Sequence, residues 1–288
     1  MSGETTVGEK PLGAVAKTAL WTAAARARES ARPDRLFHDP LAHLLAGDEG
    51  RRLLSHFHTD RAPTDGNPFL AIRTRWFDDF LTRAVRPGCQ VVALAAGLDT
   101  RAFRLSWPDD TVLFELDQPD LLAAKAHRLR EHLGRARCRR REVPVDLGGD
   151  WVGHLVDAGY APDRPTVWFA EGLLFYLSAD AARAVLRRAA SLSVPGCRLA
   201  ADLIGTGVFK FPYTRGFLRR LEAAGSPWRF GTDEPGRFVA DADWRVDSVL
   251  EPGMPGADYG RWPAASILPA AVRVPRSYLL AATAPPVP

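Results

Sequence analysis

The stretch Cys89–Pro119, CQVVALAAGLDTRAFRLSWPDDTVLFELDQP, decides the fold. An apolar run, Val91 to Ala96, stops at Gly97, and Leu98 and Asp99 follow at once. A second apolar run, Thr111 to Phe114, ends in acid at Glu115 and Asp117. Strand, tight glycine turn, connection, strand and carboxylate is how an open α/β sheet builds a nucleotide site. The glycine lets a ligand approach the backbone, and the acid takes the ribose hydroxyls.

The turn does not suit a dinucleotide. It lacks G-x-G-x-x-G: Gly97 is its only glycine, with Ala95 and Ala96 before it and Asp99 and Thr100 after. A pyrophosphate seeks a glycine-rich loop at a helix N-terminus, away from negative charge. Asp99 stands where that anion would lie, and no Walker lysine is present. A ligand with adenosine at one end and a zwitterionic amino acid at the other tolerates such a turn, and S-adenosylmethionine has that form. An ordinary buried strand pair with no ligand would leave two acids and a turn glycine without a role.

Outward from this stretch the periods alternate. Strands are predicted at 90–95, 111–116, 141–145, 166–170, 197–203, 244–250 and 277–283, and helices at 119–133, 149–158, 179–193 and 213–224. Strict succession argues for an α/β, doubly wound, mainly parallel seven-stranded sheet covered on both faces. Upstream, residues 1–13 read as a disordered start, and Ala14–Arg28, Leu41–Phe57 and Phe69–Val85 read as helices, with Arg61–Pro68 a loop. The expected organisation is a helical cap over 14–86 and the main domain over 87–288. Residues 205–241 are longer and more aromatic than a crossover needs, which marks a substrate-covering lid.

Bulk composition narrows the class. A chain of 288 residues with 46% hydrophobic content supports one large α/β domain with a cap. No apolar run is long enough to span a membrane, and the N-terminus lacks the basic-then-apolar order of a signal peptide. The expectation is a cytoplasmic protein with no membrane partner. Cys89, Cys138 and Cys197 lie far apart and read as buried thiols. The net charge is +4, and all but four of the 38 basic residues are arginines. The run Arg135–Arg141 has no interleaved aromatics for base stacking and reads as a solvated sheet edge, so no nucleic acid is expected.

In such a sheet the ligand lies across the carboxyl ends of the strands. Those ends carry Ala95, Ala96, Gly97 and Asp99, then Glu115 and Asp117, then Asp146 and Leu147, then Glu171 with Tyr176 close behind. Carboxylates there can hold ribose hydroxyls, an adenine amino group and an α-ammonium. The plainer readings are a helix N-cap for Asp146 and an arginine partner for Glu171. A cofactor carboxylate needs a cation, and Arg73 and either Arg26 or Arg28 are the candidates, each with a simple surface charge as its alternative. No Ser/His/Asp or Cys/His arrangement stands out, and His56 and His58 lack a third metal ligand. The segment after the fourth strand is not an Asn/Asp-Pro-Pro-aromatic clamp, which weakens methylation of bases.

The blocks Arg26–Ser30, Phe37–Pro40, Arg73–Asp78, Gln90–Arg101, Phe114–Asp117 and Glu171–Tyr176 resemble the leucine carboxyl methyltransferase family, in family order. They are most similar to its bacterial branch of S-adenosylmethionine-dependent O-methyltransferases, some of which tailor polyketide-type natural products. The resemblance covers about Ala14 to Leu203 and implies a Rossmann-like class I methyltransferase domain. It implies that Arg73 binds the cofactor carboxylate, Asp117 the ribose hydroxyls, Asp146 and Leu147 the adenine, and Glu171 the methionine end. It assigns the cap cation to Arg28 or Arg26. Eukaryotic members have glycine where this chain has Ala95, which fits if the φ of Ala95 is negative. The expected reaction is methyl transfer to a carboxylate of a small-molecule acceptor, with Tyr176 as the candidate catalytic residue and, beside the resemblance, Tyr176 and the lid aromatics Phe209, Phe211 and Tyr213 expected to contact the acceptor. Hydroxyl methylation of an aromatic polyketide, a silent methyltransferase-like binding protein and a nicotinamide oxidoreductase are the alternatives. A homodimer is compatible with the sequence, which does not fix the oligomeric state.

Overall fold

The structure is a computed structural model and describes residues 13–56, 68–130, 135–262 and 274–286. The predicted disordered start up to residue 12, most of the 61–68 loop, and His58 lie outside the described residues.

Seven strands form one sheet: β1 (Gln90–Leu94), β2 (Val112–Asp117), β3 (Arg139–Pro144), β4 (Thr166–Ala170), β5 (Arg198–Ile204), β6 (Arg245–Leu250) and β7 (Ser277–Thr283). Their order is β3-β2-β1-β4-β5-β7-β6. The first five are parallel, and β7 runs antiparallel to both β5 and β6. This is the predicted mainly parallel, doubly wound sheet. The strand order reverses between β1 and β4, so a crevice opens at the carboxyl ends of those two strands.

The central strands are buried on both faces, and alternation sorts their side chains. Val92, Leu94, Phe114 and Trp168 face one layer, and Val91, Ala93, Leu113, Val167 and Phe169 face the other. The first layer contains α6 (Trp151–Asp157), α7 (Ala179–Ser191) and α10 (Pro235–Ala240). The second is closed by α3 (Phe69–Ala84), whose Ile72, Trp76, Phe77, Phe80 and Leu81 pack on the sheet. α3 falls within the expected cap range, and its large apolar stripe makes it part of the sheet's own covering. The Arg135–Arg141 run leads into β3, an exposed edge strand as expected.

The remaining cap is α1 (Ala14–Ser30) with α2 (Ala42–His56). Leu20, Ala23 and Ala24 pack against Leu41, Leu45 and Ala46, and this cluster sits on Leu98 and on Leu121 of α5 (Pro119–Leu129). The cap therefore rests on the β1 turn itself. The two helices approach so closely that a Cβ at Gly50 would lie 2.6 Å from the Leu20 carbonyl oxygen, a spacing only glycine permits.

The 205–241 insertion divides in two. Its first part holds α8 (Gly207–Lys210) and α9 (Pro212–Ala223), and Phe217 and Leu221 of α9 pack on Trp21, Leu53 and Trp228. This part packs on the cap. Its second part, α10, buries Phe238 and Val239 in the sheet's first layer. Cys89 and Cys197 are buried free thiols as expected, whereas Cys138 is only half-buried.

Candidate cofactor site

The chain leaves β1 through Ala95 and Gly97, both in the left-handed region, at φ 57° and 51°. The expectation of a negative φ at Ala95 is therefore overturned. An alanine methyl is carried in a conformation that glycine adopts without cost, because the turn must reverse at once after a fully buried strand. Asp117, the last residue of β2, explains the turn's shape: its Oδ2 accepts from Gly97 N at 2.6 Å and its Oδ1 from Gln118 N at 2.7 Å. Burial pushes the Asp117 carboxyl above its usual value, although the Gly97 and Gln118 amides oppose this. The acid thus forms the floor of the turn, and Ala96 is tied to β2 by its N–H to Leu116 O at 2.9 Å.

Opposite, β4 ends at Glu171 and Gly172. Glu171 Oε1 accepts from Arg73 Nε at 3.1 Å, and Arg73 Nη1 donates to Asp202 Oδ2 at 3.0 Å. The other oxygen of Asp202, on β5, accepts from Gly172 N at 2.6 Å. Gly172 has φ 69°, and a Cβ there would meet Arg73 Nη1 at 3.2 Å and Nη2 at 3.5 Å. The missing side chain leaves that edge of the guanidinium open, and Nη2 donates no hydrogen bond among the described residues. A carboxylate could take it. Burial opposes the Arg73 charge, but Asp202 and Glu171 outweigh it and raise its pKa.

Arg101 links the two halves. It is 1% exposed and its guanidinium lies over the adjoining rings of Phe77 and Phe169 at 5.7 and 5.6 Å. Its Nη1 is 2.7 Å from Glu171 Oε2 and also pairs with Asp99, while its Nε donates to Asp78 Oδ1 at 2.7 Å. Arg104 then bonds both oxygens of Asp78 at 2.6 and 2.7 Å. Asp39 extends the network into the cap: its Oδ2 accepts from Arg26 Nε at 2.9 Å and Thr100 Oγ1 at 2.7 Å. Its Oδ1 receives Leu41 N and Ala42 N at the start of α2. One buried chain of ion pairs therefore runs from β5 to the cap.

Several predicted site residues take definite places in this frame. Asp99 does not face the crevice with a free carboxylate. It accepts from Arg101 N at 2.7 Å, and although burial would raise it, Arg101 with Lys125, Arg104 and Arg26 holds it at about 2. Glu115 lies one pleat deeper than Asp117 and is bound at 2.7 Å by both Lys125 and Arg140, so its charge is neutralised inside the sheet. Between the two cap arginines the helix decides. Arg26 turns inward and donates to Leu98 O at 2.6 Å, whereas Arg28, about 200° further round the helix, is exposed. Of the two candidates, Arg26 is therefore the one that reaches the β1 turn.

Asp146 is exposed beyond β3 and accepts from Gly148 N at 2.9 Å, next to buried Leu147. It is not the helix cap, a role Asp150 fills for α6. Glu171 is held below its usual carboxylate range, burial being outweighed by Arg101 and Arg73. Tyr176 closes a short 3-10 turn (Leu174–Tyr176) and lies beside Arg73 and Asp202. Burial raises its pKa, opposed by a hydrogen bond with Thr18 of α1. Phe175 and Trp228 pack near it with tilted rings, their centroids 4.5 Å apart. Phe209 joins this cluster, while Phe211 and Tyr213 contact each other. Arg101 and Asp202 were not singled out in the sequence. Among the described residues no group of His, Cys, Asp and Glu could hold a metal, and no helix is long and apolar enough to cross a membrane.

A seven-stranded sheet with antiparallel β7, an acid ending β2 under a glycine turn, and a charged pair at the end of β4 defines a class I methyltransferase-type α/β domain. Residues 19–190 match the leucine carboxyl methyltransferase family, and the chain belongs to that family. A Parafrankia relative, named as a candidate S-adenosyl-L-methionine-dependent methyltransferase, is 46% identical over 67% of this chain and 64% of its own length. A Mycobacterium avium relative of the same name is 43% identical over 82% of this chain and 81% of its own. The chain thus spans just under two thirds of the Parafrankia protein. Among solved structures, a DUF574 family protein from Streptomyces avermitilis shares the fold with a TM-score of 0.58 at 12% identity, over 93% of this chain and 97% of that one.

Proposed function

We propose that this chain binds S-adenosylmethionine across the carboxyl ends of β1 and β4 and directs its methyl group to a carboxylate oxygen of a small-molecule acceptor. The observation that carries the reading is the pairing of two features at the sheet's switch point. Asp117 lies under the Gly97 turn, where ribose hydroxyls are met, and Arg73 presents an open Nη2 beside Glu171, where a zwitterion is met. The residues present fit the cofactor's two ends.

When bound, S-adenosylmethionine supplies an electrophilic methyl group on sulfur, and the bond to that carbon forms as the carbon–sulfur pair leaves to sulfur. The protein's part is placement. Asp117, already fixed by two backbone amides, does not reorganise to accept hydroxyls, which makes its contacts preorganised. Arg73 and Glu171 hold the amino-acid end and so fix where the sulfur lies. An acceptor carboxylate is ionised at neutral pH and requires no general base. Tyr176, kept protonated by burial, suits donation to the acceptor better than proton abstraction. The lid and cap, closed through Trp21, Phe217 and Trp228, would exclude water from the acceptor.

The test is incubation of the enzyme and deuteromethyl-labelled cofactor with a small-molecule extract from a bacterial relative's source, read by mass spectrometry. A labelled product that base hydrolysis returns to the free acid supports the reading. A label stable to base points to a hydroxyl acceptor. No label, together with no calorimetric heat from S-adenosylhomocysteine, rules the reading out.

A further inference from the structure

Arg73 and Glu171 already satisfy each other at 3.1 Å before any ligand is considered. A carboxylate can take the open Nη2, but an α-ammonium on Glu171 Oε1 displaces Arg73 Nε from that oxygen, and opening an ion pair in a largely buried site strands charge. The structure supplies a second partner for each. On the far side of Arg73, Asp202 is 1% exposed and bonds Nη1 at 3.0 Å. On the far side of Glu171, Arg101 bonds Oε2 at 2.7 Å from a buried position over the rings of Phe77 and Phe169.

The two outer bonds differ from the inner one in depth. Asp202 and Arg101 are almost wholly buried, while Glu171 keeps 14% of its side chain exposed. Asp202 is further pinned by Gly172 N, and Arg101 by Asp78, Asp99 and the Thr74 carbonyl. The inner Arg73–Glu171 contact is therefore the exchangeable one.

We infer that Asp202 and Arg101 are positioning residues that keep Arg73 and Glu171 charged and aimed while the pair between them opens to admit a zwitterion. The inference rests on the cofactor reading above and goes beyond it. In the exchange the ligand's α-carboxylate takes the Nη2 edge of Arg73 beside Gly172, and its α-ammonium takes Glu171 Oε1. One inner ion pair is replaced by two, with both outer bonds retained. The arrangement selects against ligands carrying only one of the two charges, because such a ligand leaves one inner partner without a replacement.

The experiment is calorimetry on the full chain with two probes: S-adenosylhomocysteine, which has the zwitterion, and methylthioadenosine, which lacks it. In Asp202→Asn the amide still accepts from Gly172 N but no longer neutralises Arg73, which then closes on Glu171. Affinity for S-adenosylhomocysteine should fall about tenfold or more, in keeping with loss of a charge-assisted contact, while methylthioadenosine stays within about twofold. Equal losses for both probes, or no loss for either, overturn the inference. If Asp202→Asn does not fold, Asp202→Glu keeps the charge and shifts it by one methylene, and the same unequal loss is expected. A wild-type protein that binds neither probe removes the cofactor reading itself, which is a different result from an equal response of the variants.

Discussion

Arg101 Nη1 lies 2.7 Å from Glu171 Oε2, and this contact joins the turn after β1 to the end of β4 across the crevice that the strand order opens. From that turn Arg101 reaches Glu171, and it also pairs with Asp78 and Asp99. Replacing it with methionine keeps the volume and leaves three buried carboxylates short of a cation. The expected cost is about 3–5 kcal/mol, the range for breaking a buried ion network by removing one partner. Urea unfolding of Arg101→Met measures it, and a change below about 1 kcal/mol would mean that water reaches these carboxylates freely.

Ala95 offers a prediction of opposite sign. Ala→Gly changes ordinarily lower stability by about 0.5–1 kcal/mol, because glycine gains freedom in the unfolded chain. At φ 57° the alanine methyl carries a left-handed penalty of about 1–2 kcal/mol. Ala95→Gly should therefore leave stability unchanged or raise it by up to about 1 kcal/mol. A thermal midpoint lowered by several degrees would contradict the left-handed conformation.

Acid should expose the Asp99 contribution. Its carboxyl is held at about 2 in the folded protein against an ordinary 3.8, burial being outweighed by Arg101 and the cations behind it. A lowered folded-state value means the unfolded chain takes up the proton first. The stabilisation is complete above 3.8 and is lost as pH falls toward about 2. The shift corresponds to about 2–3 kcal/mol at full effect. Asp117 and Asp202, raised by burial, act in the opposite sense, so the comparison must be made against a variant. Between those two pH values wild type should lose about 2 kcal/mol more stability than Asp99→Asn. Parallel pH curves for the two proteins would show that the Asp99 charge is not coupled to folding.

Much of this fold was legible because its elements repeat a simple pattern. QVVAL and VLFELD are buried at every position and mostly apolar, which a strand covered on both faces needs, and both strands lie where they were expected. The candidate site was legible at Gly97, Asp117 and Glu171, since acids and glycines at strand ends are local signals, whereas Arg73 on α3 came through the family resemblance. Pairing was not. Arg73 finds Glu171 and Asp202 at separations of 98 and 129 residues, and nothing local encodes which carboxylate a given arginine will meet. Asp202 did leave a trace, a lone acid in the apolar run LAADLI. Arg101 left none that separates it from the chain's many other arginines, because its burial depends on α3 covering the sheet. The choice between Arg26 and Arg28 depended on helix phase, which an alanine-rich helix of weak amphipathicity does not reveal.

Tyr176 distinguishes two kinds of chemistry at the acceptor. Its phenol lies beside Arg73 and Asp202 and bonds Thr18 of the cap, and burial keeps its proton on well above neutral pH. A tyrosine acting as general base would have to lose that proton in a site that disfavours the charged form, so its removal would change the pH dependence of the rate. A tyrosine that donates to an acceptor oxygen, or braces the cap, loses one hydrogen bond on conversion to phenylalanine. Tyr176→Phe should then reduce kcat/KM by about five- to thirtyfold, equivalent to about 1–2 kcal/mol, with the shape of the pH–rate profile retained. Initial rates of labelled methyl transfer over a pH series measure both. Loss of a basic limb from the profile in Tyr176→Phe would replace the carboxylate acceptor with one that must be deprotonated, and the phenol of Tyr176 would then be the group that takes the proton.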